Sequence, residues 1–192
     1  VGRQAPMECQ PGTNAYPMAD DPATVFQQAQ NAANDAANAL QAANLASGTI
    51  VYDDMEYYRG SVCDPLVAAY INGWVQGLHG HGYKAGIYIS ASNVNAIVHA
   101  AITEPDDIWL VSRGWASPAG GYAANCSVYG NDALGDSAWH SHRLYQYLVN
   151  SGQTLDHGET WGGVTQPDID SDCADGDIVG HQPIHLSQSY TY

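Results

Sequence analysis

The run Val51-Tyr52-Asp53-Asp54-Met55-Glu56 places two acids, Asp54 and Glu56, two residues apart in an otherwise apolar stretch. Successive side chains of a strand point to opposite faces, so Tyr52, Asp54 and Glu56 share one face while Asp53 and Met55 take the other. Two carboxylates held side by side repel, and one of them keeps its proton to higher pH than usual. Glycosidic cleavage needs that pairing: a protonated acid for the leaving oxygen, and an ionised partner that stabilises positive charge or guides a nucleophile. Asp54 and Glu56 are therefore the candidate catalytic residues. The same spacing would equally serve to bind a cation or to cap the next loop. Tyr52, Tyr57 and Tyr58 flank the pair and offer faces on which a sugar can stack, although aromatics also fill cores.

The elements that must hold these residues alternate along the chain. From Asp21 to Gly48 the sequence is rich in Ala, Gln and Asn, with Val25, Ala29, Ala32, Ala36, Leu40 and Ala43 at helical spacing. Asp21-Pro22 reads as an N-cap followed by proline, and Gly48 as the terminator. Thr49 to Tyr52 opens the strand that carries the acids. A second helix starts at Asp64-Pro65, presents Val67, Tyr70, Ile71, Trp74, Val75 and Leu78 on one face, and ends at Gly80 and Gly82. Ala85 to Ser90 reads as a strand, Asn93 to Ile102 as a helix and Ile108 to Ser112 as a strand. A Gly/Ser/Asn-rich loop runs to about His142, and Leu144 to Leu148 and Val164 to Ile169 read as the last strands. The tail from Asp177 on shows no period.

Strand and helix in alternation predict a parallel sheet. Apolar strands with polar and aromatic ends predict an α/β fold of the (β/α)8 TIM-barrel type, with chemistry at the C-terminal strand ends. About five strands are legible, whereas a closed barrel typically takes about 250 residues. The expectation is a single barrel domain over 1–192 that lacks its first two strands in this sequence, Val1 to Gln4 reading as the end of a strand. The missing strands would come from an upstream segment, a separate chain or self-association.

Composition narrows the partners. Lys+Arg number 5 against 20 Asp+Glu, a formal charge of -15. That argues against nucleic acid and anionic membrane surfaces as partners, both held mainly by Lys and Arg. No apolar run approaches the roughly 20 residues needed to cross a bilayer. Cys9, Cys63, Cys126 and Cys173 lack metal or redox spacing and predict two disulfides in an oxidising compartment, with three pairings open. A secreted protein would be represented here in processed form. Asn125-Cys126-Ser127 is a formal glycosylation sequon. His79-Gly80-His81 and His140-Ser141-His142 lack zinc-enzyme spacing and read as solvent-facing or capping residues. Asp168, Asp170, Asp172, Asp175 and Asp177 resemble a calcium loop in content but not in register, and read as a strand end and solvated turn. No nucleotide or nicotinamide motif occurs, so neither metal nor cofactor is expected.

Several spaced blocks together carry a family resemblance. They are Val51 to Tyr58, Asn72-Gly73-Trp74 with Leu78-His79, Gly82 to Tyr88, Ile108-Trp109-Leu110, His142 to Tyr147, and Trp161 to Thr165 with Ile169, Asp170 and Asp172. Over nearly its whole length the chain resembles a glycoside-hydrolase-like domain family of secreted, mostly actinobacterial proteins. That family is in turn similar to the family-25 lysozymes, muramidase barrels with Asp-x-Glu on the fourth strand. The resemblance implies a carbohydrate-active protein acting on a glycan or peptidoglycan-like polysaccharide, with Glu56 as general acid and Asp54 as partner carboxylate. It implies a cleft lined by Tyr52, Tyr58, Tyr88, Trp109, Gln146 and Asp170. It also implies an acidic residue on an upstream strand. Asp53 stands where the family usually has an apolar residue, and facing outward it would matter little. The alternative from another class is a glycan-binding or structural extracellular module that keeps the cleft without turnover.

Overall fold

A computed structural model describes residues 3–10, 16–94, 97, 100, 103–111, 138–139, 141–148, 160–161, 164–165 and 171–175. Helix α1 spans Pro22–Ala42, strand β1 Ile50–Met55, helix α2 Asp64–Gly80, strand β2 Lys84–Ser90, strand β3 Asp107–Val111 and strand β4 Arg143–Leu148. Three short strands follow, β5 at Thr160–Trp161, β6 at Val164–Thr165 and β7 at Ser171–Asp175. A 3-10 turn, Ser61–Cys63, leads into α2. No helix among the described residues is long and apolar enough to cross a membrane.

Helix α1 starts as its sequence dictates: the Asp21 carboxylate accepts from the Thr24 N–H at 2.9 Å, with proline in the first turn. It stops earlier than Gly48. Asn44 takes a left-handed φ of 56°, its N–H bonds the Gln41 carbonyl, and Leu45 N–H reaches back to Leu40. This is a Schellman closure with asparagine in the glycine place. Helix α2 closes the same way on Gly82, whose N–H meets the His79 carbonyl while Tyr83 N–H meets Leu78. At its other end Asp64 does not act as the expected cap. It lies inside the first turn, and its carboxylate accepts from the Tyr58 hydroxyl at 2.7 Å.

The two helices pack closely because α2 offers glycine where α1 offers alanine. A Cβ on Gly73 would stand 2.9 Å from that of Ala29, and one on Gly77 2.5 Å from that of Ala33. Ala29, Ala33 and Ala37 are fully buried in this seam. Helix α2 in turn covers one face of the sheet. There Met55, Ala85, Ile87, Ile89, Ile108 and Leu110 meet Val67, Ile71, Val75 and Leu78, and the Trp74 indole N–H donates to the Gly86 carbonyl at 3.2 Å. Burying each Val, Leu, Ile or Met side chain in this layer contributes about 1.5–3 kcal/mol.

The main sheet has the order β1-β2-β3-β4-β7. Strands β1 to β4 are parallel, as their alternation with helices predicts, but β7 pairs antiparallel with β4. This corrects the barrel expectation. A barrel strand needs a parallel neighbour on each side. Beyond β4 the neighbour runs the other way, and beyond β1 the described chain offers the side chain of Gln4 and an isolated Gln4–Pro17 bridge in place of a strand. The described residues form a smaller α/β fold, four parallel strands with two helices, and not a (β/α)8 barrel. The strand expected over 164–169 is also different: β6 forms a separate antiparallel ladder with β5, and 166–170 lie outside the described residues. The helix expected over 93–102 and the tail from Asp177 fall largely or wholly outside them as well.

A disulfide joins Cys9 to Cys63 across 54 residues, so one of the expected bridges is present. Cys126 lies outside the described residues. The bridge fastens the 3–10 segment beside the point where the chain leaves β1, and Arg59 N–H adds a bond to the Cys9 carbonyl at 2.8 Å.

Candidate functional site

The pairing register sorts side chains onto two faces. Asp54 stands opposite Tyr88, Tyr88 opposite Trp109, and Trp109 opposite Leu144. Tyr52 stands opposite Gly86, which stands opposite Asp107, while Gln146 stands opposite Val111. All of these lie on the face turned away from α2. Asp54, Tyr52, Tyr88 and Trp109 are half-buried there, in contrast to the fully buried aliphatic face. Period-two reading of the sequence thus placed Tyr52 and Asp54 correctly. Glu56, one residue beyond the end of β1, is exposed.

The three aromatics form one cluster. The Tyr52 ring meets the Trp109 ring edge-on at 5.6 Å, and Tyr88 meets Trp109 edge-on at 5.4 Å. Tyr52 lies across its neighbouring strand: a Cβ on Gly86 would run into the Tyr52 ring, with Cγ 2.9 Å away. Glycine leaves room for the ring to cross β2, and its hydroxyl then donates to the Asp107 carboxylate on β3 at 2.9 Å. Burial, followed by the neighbouring Asp107 charge, raises the Tyr52 hydroxyl's hold on its proton. Asp107 is itself raised, chiefly by burial, against the lowering pull of the Tyr52 bond.

Around the acids, the Glu56 carboxyl is pushed above its ordinary value. Partial desolvation is the larger cause and the charge of Asp54 the next, with a backbone bond at Tyr57 working the other way. Desolvation and a like charge both favour the neutral acid. Asp53 faces the helix, as alternation requires, but that side is interior. It is 3 % exposed, and the Tyr70 hydroxyl donates to its Oδ1 at 3.2 Å. Its Oδ2 is buried without a hydrogen-bond partner among the described residues. Burial is the main reason its carboxyl is pushed up to about 7, opposed by Tyr70 and assisted by Asp54. The expectation that Asp53 is an outward bystander is therefore corrected.

Two side-chain amides brace the backbone that carries the pair. Gln4 Nε2 donates to the Asp54 carbonyl at 2.6 Å, and Glu56 N–H donates to Gln4 Oε1 at 2.9 Å. Two residues on, Asn93 Nδ2 donates to the Tyr58 carbonyl at 3.0 Å, and Tyr58 N–H donates to Asn93 Oδ1 at 3.4 Å. Sequence reasoning missed Gln4 and Asn93, because both contacts span more than 30 residues and neither residue belongs to a pattern. Asp107 was also missed, although its separation of two from Trp109 would have put it on the same face.

The remaining expected residues fall in different places. Tyr58 is 1 % exposed and is a wall, not a platform. It helps line a cavity of about 190 Å³ with Tyr57, Gly60, Ser61, Asp64, Ser92 and Asn93, to which neither Asp54 nor Glu56 contributes. Gln146 is 4 % exposed, and its Oε1 has no hydrogen-bond partner among the described residues. Asp170 lies outside the described residues, as do Asn125 and His140. His79 bonds the Asp106 carboxylate at 2.7 Å, and His81 bonds Asn34 Oδ1 at 2.7 Å. The clustering of Glu8 with Cys9 and Cys63 has the geometry of a metal site, but the two sulfurs are bonded to each other.

The comparison with protein families decides the affiliation: residues 10–174 match the Rv2525c-like, glycoside hydrolase-like domain. The chain belongs to that family. Membership in the Rv2525c-like family supports a carbohydrate-related function. No curated protein matches the chain, and no solved structure does. In this chain Asp54 lies in β1 and Glu56 one residue past its end, on the strand that shares the aromatic cluster with β2 and β3.

Proposed function

We propose that this domain hydrolyses glycosidic bonds of a cell-wall or extracellular glycan, with Glu56 as general acid and Asp54 as partner carboxylate. The observation that carries the reading is the raised proton affinity of Glu56 beside Asp54 at an accessible strand end. Glu56 would pass its proton to the glycosidic oxygen as the carbon–oxygen bond breaks. Asp54 would stabilise the positive charge left on the sugar, or guide the nucleophile, and water would supply the hydroxyl that completes the product. Two carboxylates suffice for this chemistry, so no cofactor is invoked. Tyr52, Tyr88 and Trp109 would hold sugar rings, and Gln146 and Asp170 would bond hydroxyl groups. Tyr58 would contribute as part of the cavity wall. The charge of -15 fits a neutral polysaccharide better than a polyanion. The Cys9–Cys63 bridge fits a secreted protein, since such bonds persist in oxidising compartments.

The second reading is a glycan-binding module without turnover, in which the cavity lined by Tyr57, Tyr58, Asp64 and Asn93 would take a sugar without contact to either acid. The protein is incubated with peptidoglycan and with uncharged polysaccharides, and new reducing ends and retained protein are measured on the same samples. New reducing ends support hydrolysis. Retention with no product over days supports the binding module, and neither signal on any polymer rejects both.

A further inference from the structure

We propose that Gln4 is a positioning residue: its side-chain amide bonds the edge of β1 that faces away from β2 and fixes the backbone from which Asp54 and Glu56 project. The proposal rests on the reading of those two acids as the working pair. Among the described residues β1 has one strand neighbour, β2, and the peptide groups on its other edge need partners of their own. Gln4 meets that edge as a peptide would, donating to the Asp54 carbonyl and accepting from the Glu56 N–H at 2.6 and 2.9 Å. Those are the two residues whose carboxyls must stay in fixed relation. A carboxylic acid in this place would match the pattern only when protonated, and an aliphatic or thioether side chain would match neither bond.

Gln4 is itself held from several directions. It is 6 % exposed. Its N–H donates to the Tyr16 carbonyl at 3.2 Å, its carbonyl accepts from Met18 N–H at 2.9 Å, and Gln10 Nε2 lies 3.4 Å from its Oε1. The Cys9–Cys63 bridge and the Arg59–Cys9 bond tie the same segment to the chain just past Glu56. Asn93 repeats the device at Tyr58, so residues 54 to 58 are pinned at both ends by side-chain amides. A strand end fixed in this way keeps Glu56 partly desolvated and close to the charge of Asp54, the two causes of its raised proton affinity.

The test uses the full chain with Gln4→Met, which keeps the volume and removes the amide, and Gln4→Glu, which restores both bonds only when neutral. Two readouts are taken: the NMR titration of the Glu56 carboxyl, and kcat and KM on the glycan that the wild type cleaves. For Gln4→Met the Glu56 carboxyl should titrate lower than in the wild type, and kcat should fall on the order of 10²-fold with KM little changed, as for a misplaced acid. Gln4→Glu should approach wild-type kcat at the acid end and lose it as the new carboxyl ionises. Unchanged Glu56 titration and unchanged kcat in folded Gln4→Met would overturn the proposal. If Gln4→Met does not fold, the pH profile of Gln4→Glu decides, and a profile parallel to the wild type overturns it. If the wild type cleaves nothing, the hydrolase reading fails. The clamp is then judged on whether Gln4→Met alters the Glu56 titration and, failing that variant, on whether Glu56 amide exchange in Gln4→Glu speeds up as the new carboxyl ionises.

Discussion

Asp53 and Asp54 are neighbours in sequence with opposite surroundings, and strand alternation is the whole reason. Asp54 emerges half-buried beside Tyr88, while Asp53 is sealed under Tyr70 with its carboxyl raised to about 7. Alternation told the two faces apart from sequence alone. It did not say which face α2 would cover, because an acid in an apolar run gives no sign of being buried. The consequence is a pH dependence of stability. The native state keeps the Asp53 proton up to about pH 7, whereas the unfolded chain loses it near 3.8. This contribution is fully present below pH 4 and is lost as pH rises toward 7, at a slope of at most about 1.4 kcal/mol per pH unit. Raised Asp107 and Glu56 act in the same direction. Urea unfolding of Asp53→Asn between pH 4 and 7 should show a shallower decline than the wild type; parallel curves would refute the buried, protonated Asp53.

At the scale of elements, the strands and helices nearest the site were legible because their apolar spacing and caps agree. The Asp21 cap, the α2 face and strands β1 to β3 all follow from residue pattern. Two ends were misread for local reasons. Asn44 closes α1 before Gly48 is reached, since asparagine also tolerates a left-handed φ, and Asp64 is drawn to the Tyr58 hydroxyl instead of capping. Gly86 shows how an element serves the site. Glycine weakens a strand interior, yet here it is the space through which Tyr52 reaches Asp107. Gly86→Ala should therefore destabilise, by about 1–3 kcal/mol from overpacking, despite the better strand propensity of alanine. It should also weaken glycan retention through loss of the Tyr52–Trp109 contact. A thermal melt at or above that of the wild type would contradict this packing.

On the scale of the molecule, the βαβ alternation specifies the parallel sheet of β1 to β4 but not a barrel, because β7 joins β4 antiparallel. The antiparallel β7 was hidden in an Asp-rich segment that reads equally well as a turn, and the Gln4 edge contact has no sequence pattern. The even cysteine count forecast disulfides, while the Cys9–Cys63 pairing needed the structure. Closing a 54-residue separation should contribute about 4 kcal/mol through the unfolded chain's lost entropy. The double variant Cys9→Ser, Cys63→Ser should lose stability of that order in denaturant unfolding under oxidising conditions. A loss below about 1 kcal/mol would mean that the bridge does not constrain the unfolded chain as supposed.

In the proposed reaction the Glu56 proton goes to the leaving oxygen of the glycosidic bond. The deciding measurement is the rate of reducing-end release by Glu56→Gln against the wild type, on the same glycan and with matched unfolding curves. Replacing the acid by an isosteric amide should lower the rate by roughly 10²–10⁴-fold. Equal rates for the two proteins would rule out Glu56 as the general acid.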